Sequence, residues 1–264
     1  MQRLRRNRGG YFGERLDVGA YLREADRLAR ASGWEIDRLP ADDKPPLTAF
    51  RRPAPDPRLN LYVSTGIHGD EPAGPRALLE LMGQHPWPDD VSLWICPCLN
   101  PTGFDRGTRE NADGVDLNRD YRELKTAEVR AHVEWLKRQP EFDLALCLHE
   151  DWEANGFYVY ELNPLNRESF AGAMIERVRR VCPIEDAGTV DGRPAEGGII
   201  RPREVPSDRP QWPEAIFLNE HKTRLGYTLE APSDYELNLR TQALVEGVKA
   251  VCERLRARGR EEEV

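Results

Sequence analysis

Long hydrophobic runs are missing from this sequence: no segment approaches the roughly 18–20 continuous apolar residues of a membrane-spanning helix, so no membrane partner is expected. The basic N-terminus MQRLRRNRGG is followed by no apolar stretch, and a secretory leader is therefore not expected either. Cysteine is scarce and odd in number, with Cys96, Cys98, Cys147, Cys182 and Cys252 making five. Such a count suits reduced, mostly buried thiols rather than a disulfide scaffold. Cys96-Pro97-Cys98 is not a CxxC pair and reads as strand core. Together these features give a cytoplasmic expectation. Basic charge is also in deficit: 38 Lys and Arg against 46 Asp and Glu leave a net charge of −8. Nucleic-acid binders usually carry a net basic domain or stripe, so no nucleic acid is expected as a partner.

What remains is a chain of 264 residues that is 39% hydrophobic and holds six tryptophans. That composition supports a folded chain with a sizeable core. No internal repeat and no linker divides it, so residues 1–264 read as a single domain. Within it, 1–16 is expected to be a flexible basic arm, 183–214 a loop-rich addition, and 259–264 a frayed tail.

Hydrophobic periodicity places helices over 17–32, 73–83, 126–138, 169–181 and 237–258. Strands are expected over 34–39, 47–51, 59–65, 91–99, 142–148 and 157–162, with closing strands over 215–219 and 225–229. The polar stretch from 101 to 122 shows neither period and reads as a long functional loop. Alternating strands and helices predict an α/β fold, with a central mixed, largely parallel sheet and helices on both faces.

Three apolar strands end in polar residues: 59–65 before His68, 91–99 before Asn100, and 142–148 before His149. In open α/β sheets, ligands gather at the carboxyl ends of strands. His68 and Glu71, three apart in a Gly-containing turn before a helix, can aim at one point. Gly69 allows a tight backbone path there, and His149 can supply a third ligand from a neighbouring strand. Two His and one Glu leave an open position for water, the pattern of a catalytic zinc site. Each piece is weak alone, because HxxE recurs by chance and a strand-end His is often only hydrogen-bonded.

Further motifs join these in a fixed order: HGDE at 68–71, NPTG at 100–103, RENADGVDLNRDY at 109–121, LCLHED around His149 and YTLEAPS around Glu230. In this set the chain resembles the zinc carboxypeptidases of the carboxypeptidase A type, which include murein-peptide amidases. The resemblance implies one zinc ion per chain held by His68, Glu71 and His149. Asp116 would orient a ligand histidine, and Arg109 would stabilise a developing oxyanion. Asn118 and Arg119 would grip a terminal carboxylate, and Glu230 would be the general base. The implied activity is metallocarboxypeptidase hydrolysis of a C-terminal amide bond of a peptide.

The sequence departs from the larger digestive members, which carry a substrate-binding tyrosine about twenty residues before the base. Here no Tyr lies between Glu161 and Gly226. That keeps open the related branch resembling aspartoacylase and succinylglutamate desuccinylase, zinc deacylases of N-acyl amino acids. A non-catalytic zinc-binding protein is a third reading. The expected partner is a peptide or acyl-amino-acid substrate with a free carboxylate. Arg193, Arg201, Arg203 and Arg209 are candidate pocket cations for acidic substrates. Asp70 and Glu150, beside the ligands, are expected to face solvent or to be structural, and His85, His132 and His221 to be ordinary surface or core histidines.

Overall fold

The computed structural model describes residues 2–7, 11–202 and 208–262. Ten strands form one sheet in the order β1-β2-β4-β3-β5-β10-β6-β9-β8-β7. Its centre is parallel: β4 (Val91–Cys98), β3 (Leu59–Thr65), β5 (Leu144–Asp151) and β10 (Gly226–Pro232) pair side by side in one direction. On one flank β1 (Glu35–Ala41) and β2 (Lys44–Arg52) add antiparallel. On the other, β6 (Tyr158–Leu162) runs antiparallel to β10, followed by β9 (Ile199–Ile200), β8 (Arg193–Glu196) and β7 (Thr189–Val190). The sheet is mixed as expected, but its parallel part is confined to the four central strands and the β6–β9 pair.

The central strands are apolar on both faces because helices cover both. One core packs α1 (Val18–Ala31), α2 (Ala73–Gln84), α5 (Ala171–Val178) and α7 (Leu237–Glu262) on one face. The second places α4 (Ala127–Arg138) and α6 (Glu214–His221) on the other. Alternation along β3 sorts its residues: Leu61 and Val63 enter the first core, Tyr62 the second. All five cysteines are buried, and no helix among the described residues is long and apolar enough to cross a membrane.

Two expectations need correction. Residues 215–219 are helix α6, not a strand. Ile216, Phe217, Leu218 and Asn219 are buried in succession, so the apolar run IFL shows no helical period. The stretch 101–122 is not uniformly loop: α3 (Pro101–Arg106) starts at Asn100, whose Oδ1 accepts Gly103 N–H at 2.8 Å, and ends at Gly107 with φ 67°. Asparagine at the N-cap, proline at N1 and glycine past the end are the expected punctuation of a short helix. A 3₁₀ turn, Leu117–Arg119, follows.

The described part of the N-terminal arm makes specific contacts. Leu4 N–H donates to Asp234 O, Arg6 N–H to Asp234 Oδ1, and Arg3 Nε to Asp234 Oδ2.

Candidate metal centre and surrounding cleft

The carboxyl ends of β3, β5 and β10 meet at one cleft of about 810 Å³, within the usual range of small-molecule sites. His68 leaves the loop after β3, Glu71 the turn before α2, and His149 lies in β5 itself. All three are buried, and one ligand atom from each lies within 4.8 Å of the others. Both imidazoles turn Nδ1 toward Glu71: His68 Nδ1 is 2.5 Å from Oε1, and His149 Nδ1 is 3.0 Å from Oε2. Two nitrogens and a carboxylate converging in a buried space are a donor set that fits zinc.

The local sequence explains the convergence. Gly66 has φ 66°, which turns the chain sharply after β3, and glycine takes that conformation without a Cβ penalty. Gly69 is required for a different reason: a Cβ there would lie 2.0 Å from Gly103 C and 2.4 Å from Phe104 N. The HGDE turn and the NPTG helix therefore touch backbone to backbone. Asn100 locks the contact, with Nδ2 donating to Ile67 O at 3.1 Å and to Arg109 O at 3.2 Å.

Electrostatics favour a cation here. Burial opposes charge on His68, yet Glu71 and then Asp116 hold its pKa up to about 9. Burial pulls His149 down against the opposing effect of Glu71. Despite its burial, the two imidazoles hold Glu71 well below the usual carboxylate range. Asp116 meets the far nitrogen of His68, Nε2, at 3.2 Å, and its other oxygen accepts Arg109 Nε at 3.0 Å. A carboxylate at that nitrogen fixes the tautomer that leaves Nδ1 for a metal.

Around the triad the cleft is lined by Arg109, Asn118, Arg119 and Glu230, among others. Glu230, in β10, is the register neighbour of His149. Burial first, and the charge of Glu71 second, push its carboxyl well above the ordinary range. Asn118 Oδ1 accepts the backbone N–H of Glu214 at 2.8 Å. The donor is a main-chain amide, so the oxygen must face it, and Nδ2 is the end left for the cleft. Arg119 Nη1 donates to Asn118 O at 2.8 Å.

Arg193 and Arg209 also line the cleft. Arg201 does not: its Nε donates to Glu161 Oε2 at 2.6 Å. Arg203 lies outside the described residues. Glu150 is not solvent-facing; it is buried, accepting Ala73 N–H at 2.6 Å and pairing with Arg240. His132 is fully buried.

Two cleft residues escaped the sequence reading. Tyr158 and Tyr160 lie just before the tyrosine-free segment, opposite Glu230 and Thr228 respectively in the β6–β10 register. Tyr158 Oη donates to Asp151 Oδ2 and Tyr160 Oη to Asp191 Oδ2, both at 2.9 Å. The alternation Tyr158-Val159-Tyr160 was the available signal.

Comparison with known proteins agrees with the motifs. The family profile of the succinylglutamate desuccinylase/aspartoacylase catalytic domain matches residues 57–181. Carboxypeptidase SOL1 of Arabidopsis thaliana is 36% identical over 104 residues, 31% of this chain and 21% of that protein. The chain spans 21% to 38% of the lengths of the curated relatives it matches. Among solved structures, a protein from Shewanella amazonensis titled a metallopeptidase superposes with TM-score 0.77 at 25% identity, covering 91% of this chain and 97% of its own. A metallo-carboxypeptidase from Pseudomonas aeruginosa, solved with (2-guanidinoethylmercapto)succinic acid, shares the fold with TM-score 0.65 at 20% identity, covering 90% and 68%. The chain is thus similar to metallocarboxypeptidases and, over residues 57–181, to the desuccinylase/aspartoacylase catalytic domain.

Proposed function

We propose that this chain is a zinc-dependent hydrolase that cleaves a C-terminal amide bond of a peptide, one zinc per chain, with Glu230 as general base. The observation that carries the reading is the meeting of four groups in one cleft: the His68–Glu71–His149 triad, Glu230, Arg109 and Asn118 with Arg119. A purely structural metal site needs neither a free carboxylate nor arginines beside it.

Zinc held by the triad would polarise the scissile carbonyl and lower the pKa of a water toward about 7, and its charge would favour the ionised form of Glu230. The chain's own residues supply the rest. Glu230 takes a proton from the attacking water and passes it to the leaving amine. Arg109, tied to Asp116, presents a fixed cation where negative charge develops on the carbonyl oxygen. Asn118 Nδ2 and Arg119 hold the substrate's terminal carboxylate, the guanidinium offering a bidentate fork. Tyr158 and Tyr160 add two hydroxyls to the cleft from β6, the strand next to Glu230, with Tyr158 Oη held by Asp151 at the end of β5 and Tyr160 Oη by Asp191.

The profile match to the desuccinylase/aspartoacylase domain supports a second reading, removal of an acyl group from an N-acyl amino acid by the same groups. A mass-spectrometric screen separates the two with zinc-loaded protein. Peptides shortened by one C-terminal residue support the carboxypeptidase reading. Preferential turnover of N-acetyl or N-succinyl amino acids favours the deacylase, and zinc binding with neither turnover would leave a non-catalytic binder.

A further inference from the structure

Beneath the carboxylate clamp lies a buried acid that the reaction does not use. Glu214 is the first residue of α6 and only 1% exposed. Desolvating a carboxylate is costly unless hydrogen bonds compensate, and burial pushes this one up to about 7. Two partners come from β3: Tyr62 Oη donates to Oε1 at 2.7 Å and Ser64 Oγ to Oε2 at 2.9 Å; the Cys147 thiol of β5 is a third. The residue before it, Pro213, provides no side-chain cap. The Glu214 N–H, one of the donors a helix start leaves without an intrahelical partner, goes to Asn118 Oδ1 instead.

The same segment is tethered a second time. Tyr62 Oη is 2.9 Å from His132 Nε2, and His132 Nδ1 is 2.7 Å from Tyr121 Oη. Tyr121 follows Asn118 by three residues, so a closed ring runs Asn118–Glu214–Tyr62–His132–Tyr121 and back along the chain. Because Tyr62 gives its proton to Glu214, it accepts from His132 Nε2–H, and Nδ1 accepts from Tyr121. The Glu214 N–H, Tyr62 Oη–H, His132 Nε2–H and Tyr121 Oη–H then each meet an acceptor. The strand that anchors the ring is β3, which three residues later delivers His68.

We propose that Glu214 is a positioning residue for substrate binding: its carboxylate ties the start of α6 to β3, so that Asn118 is held at a fixed distance from the metal-binding loop. The idea rests on the clamp role given to Asn118 above. A merely packed core residue would affect stability alone, whereas a positioning residue affects recognition of the terminal carboxylate.

The test compares steady-state kinetics of zinc-loaded wild type, Glu214→Leu and Glu214→Gln on a blocked dipeptide with a free C-terminus. Glu214→Leu keeps the bulk but loses both tethers to β3. It is expected to raise KM about tenfold with kcat within about threefold, the pattern of lost uniform binding. Glu214→Gln, which still accepts from Tyr62, is expected to recover most of the affinity. KM within twofold of wild type in Glu214→Leu, with only Tm lowered, would overturn the proposal. Should that variant not fold, Tyr62→Phe removes one tether, and the same split, about threefold in KM, is expected; an unchanged KM there overturns the proposal equally. Glu230→Gln is run alongside. Full activity in it refutes the proposed reaction itself, whereas loss of activity in it with unchanged KM in the Glu214 variants refutes only the positioning role.

Discussion

At the residue scale, the proposed reaction puts its heaviest chemical load on Glu230. It stands in register beside His149 on β10, in the cleft with Arg109. Its replacement by glutamine keeps shape and hydrogen-bonding capacity but removes the base. General acid–base groups typically contribute about 10²–10⁴-fold, so Glu230→Gln is expected to lower kcat by that order while zinc content stays at one per chain. Both can be followed on one preparation, by initial rates and elemental analysis. A variant with wild-type rate would remove Glu230 from the mechanism. The meeting of His68, Glu71 and His149 was legible because each follows or ends an apolar strand and because the DLNR segment is specific. Glu214 was not legible: nothing in PEAIFLN distinguishes a buried anchoring acid from a surface one. Tyr158 and Tyr160 were not legible because their link to Glu230 runs across the sheet, from β6 to β10, and not along the chain.

At the scale of elements, the central strands and long helices were readable from periodicity, and the short helices were not. α3 has six residues, too few to show a 3.6-residue period, although its punctuation was visible in Asn100-Pro101 and Gly107. α6 buries four consecutive residues, Ile216 to Asn219, and so resembles a strand in sequence. Residues 183–214 carry short strands β7 to β9, each of two to four residues, which pairing defines and pattern does not. The contact between the HGDE turn and α3 makes a strong prediction. Gly69→Ala would push a methyl group into the backbone of Gly103 and Phe104. Overpacking of this kind costs about 1–3 kcal/mol, and here it also spreads His68 from Glu71. A lowered urea midpoint together with weakened zinc binding is expected. Wild-type values for both would show that the two loops separate without consequence.

At the scale of the whole molecule, the site lies at the carboxyl ends of the central strands, and two cores pack the sheet from either face. Stability should depend on pH through the buried ring beneath the clamp. Burial pulls His132 from 6.5 to about 3. The unfolded chain therefore takes up a proton below about 6.5 that the native ring refuses until about 3, so His132 makes the fold less stable as pH falls through that window. The slope is at most ~1.4 kcal/mol per pH unit. Glu214 acts in the opposite sense: its pKa is raised from 4.5 to about 7, so it favours the fold below about 4.5 and loses that contribution as pH rises through about 7. Between 4.5 and 6.5 the two nearly cancel, and below 4.5 His132 acts alone. Urea titrations across pH 3 to 7 are expected to show wild type losing its advantage over His132→Gln as pH falls. A gap that stays constant over that range would mean the ring is protonated in the native state.

The central claim is that His68, Glu71 and His149 hold the single zinc on which hydrolysis at a free carboxylate depends. Its most direct test is a zinc titration of metal-stripped protein, following hydrolysis of a blocked dipeptide with a free C-terminus and of its C-terminal amide. Cleavage of the free acid is expected to rise from background and reach its plateau at one zinc per chain, while the amide is cleaved far more slowly throughout. Hydrolysis that proceeds at full rate without metal, or a His149→Ala variant with the same plateau, would contradict it.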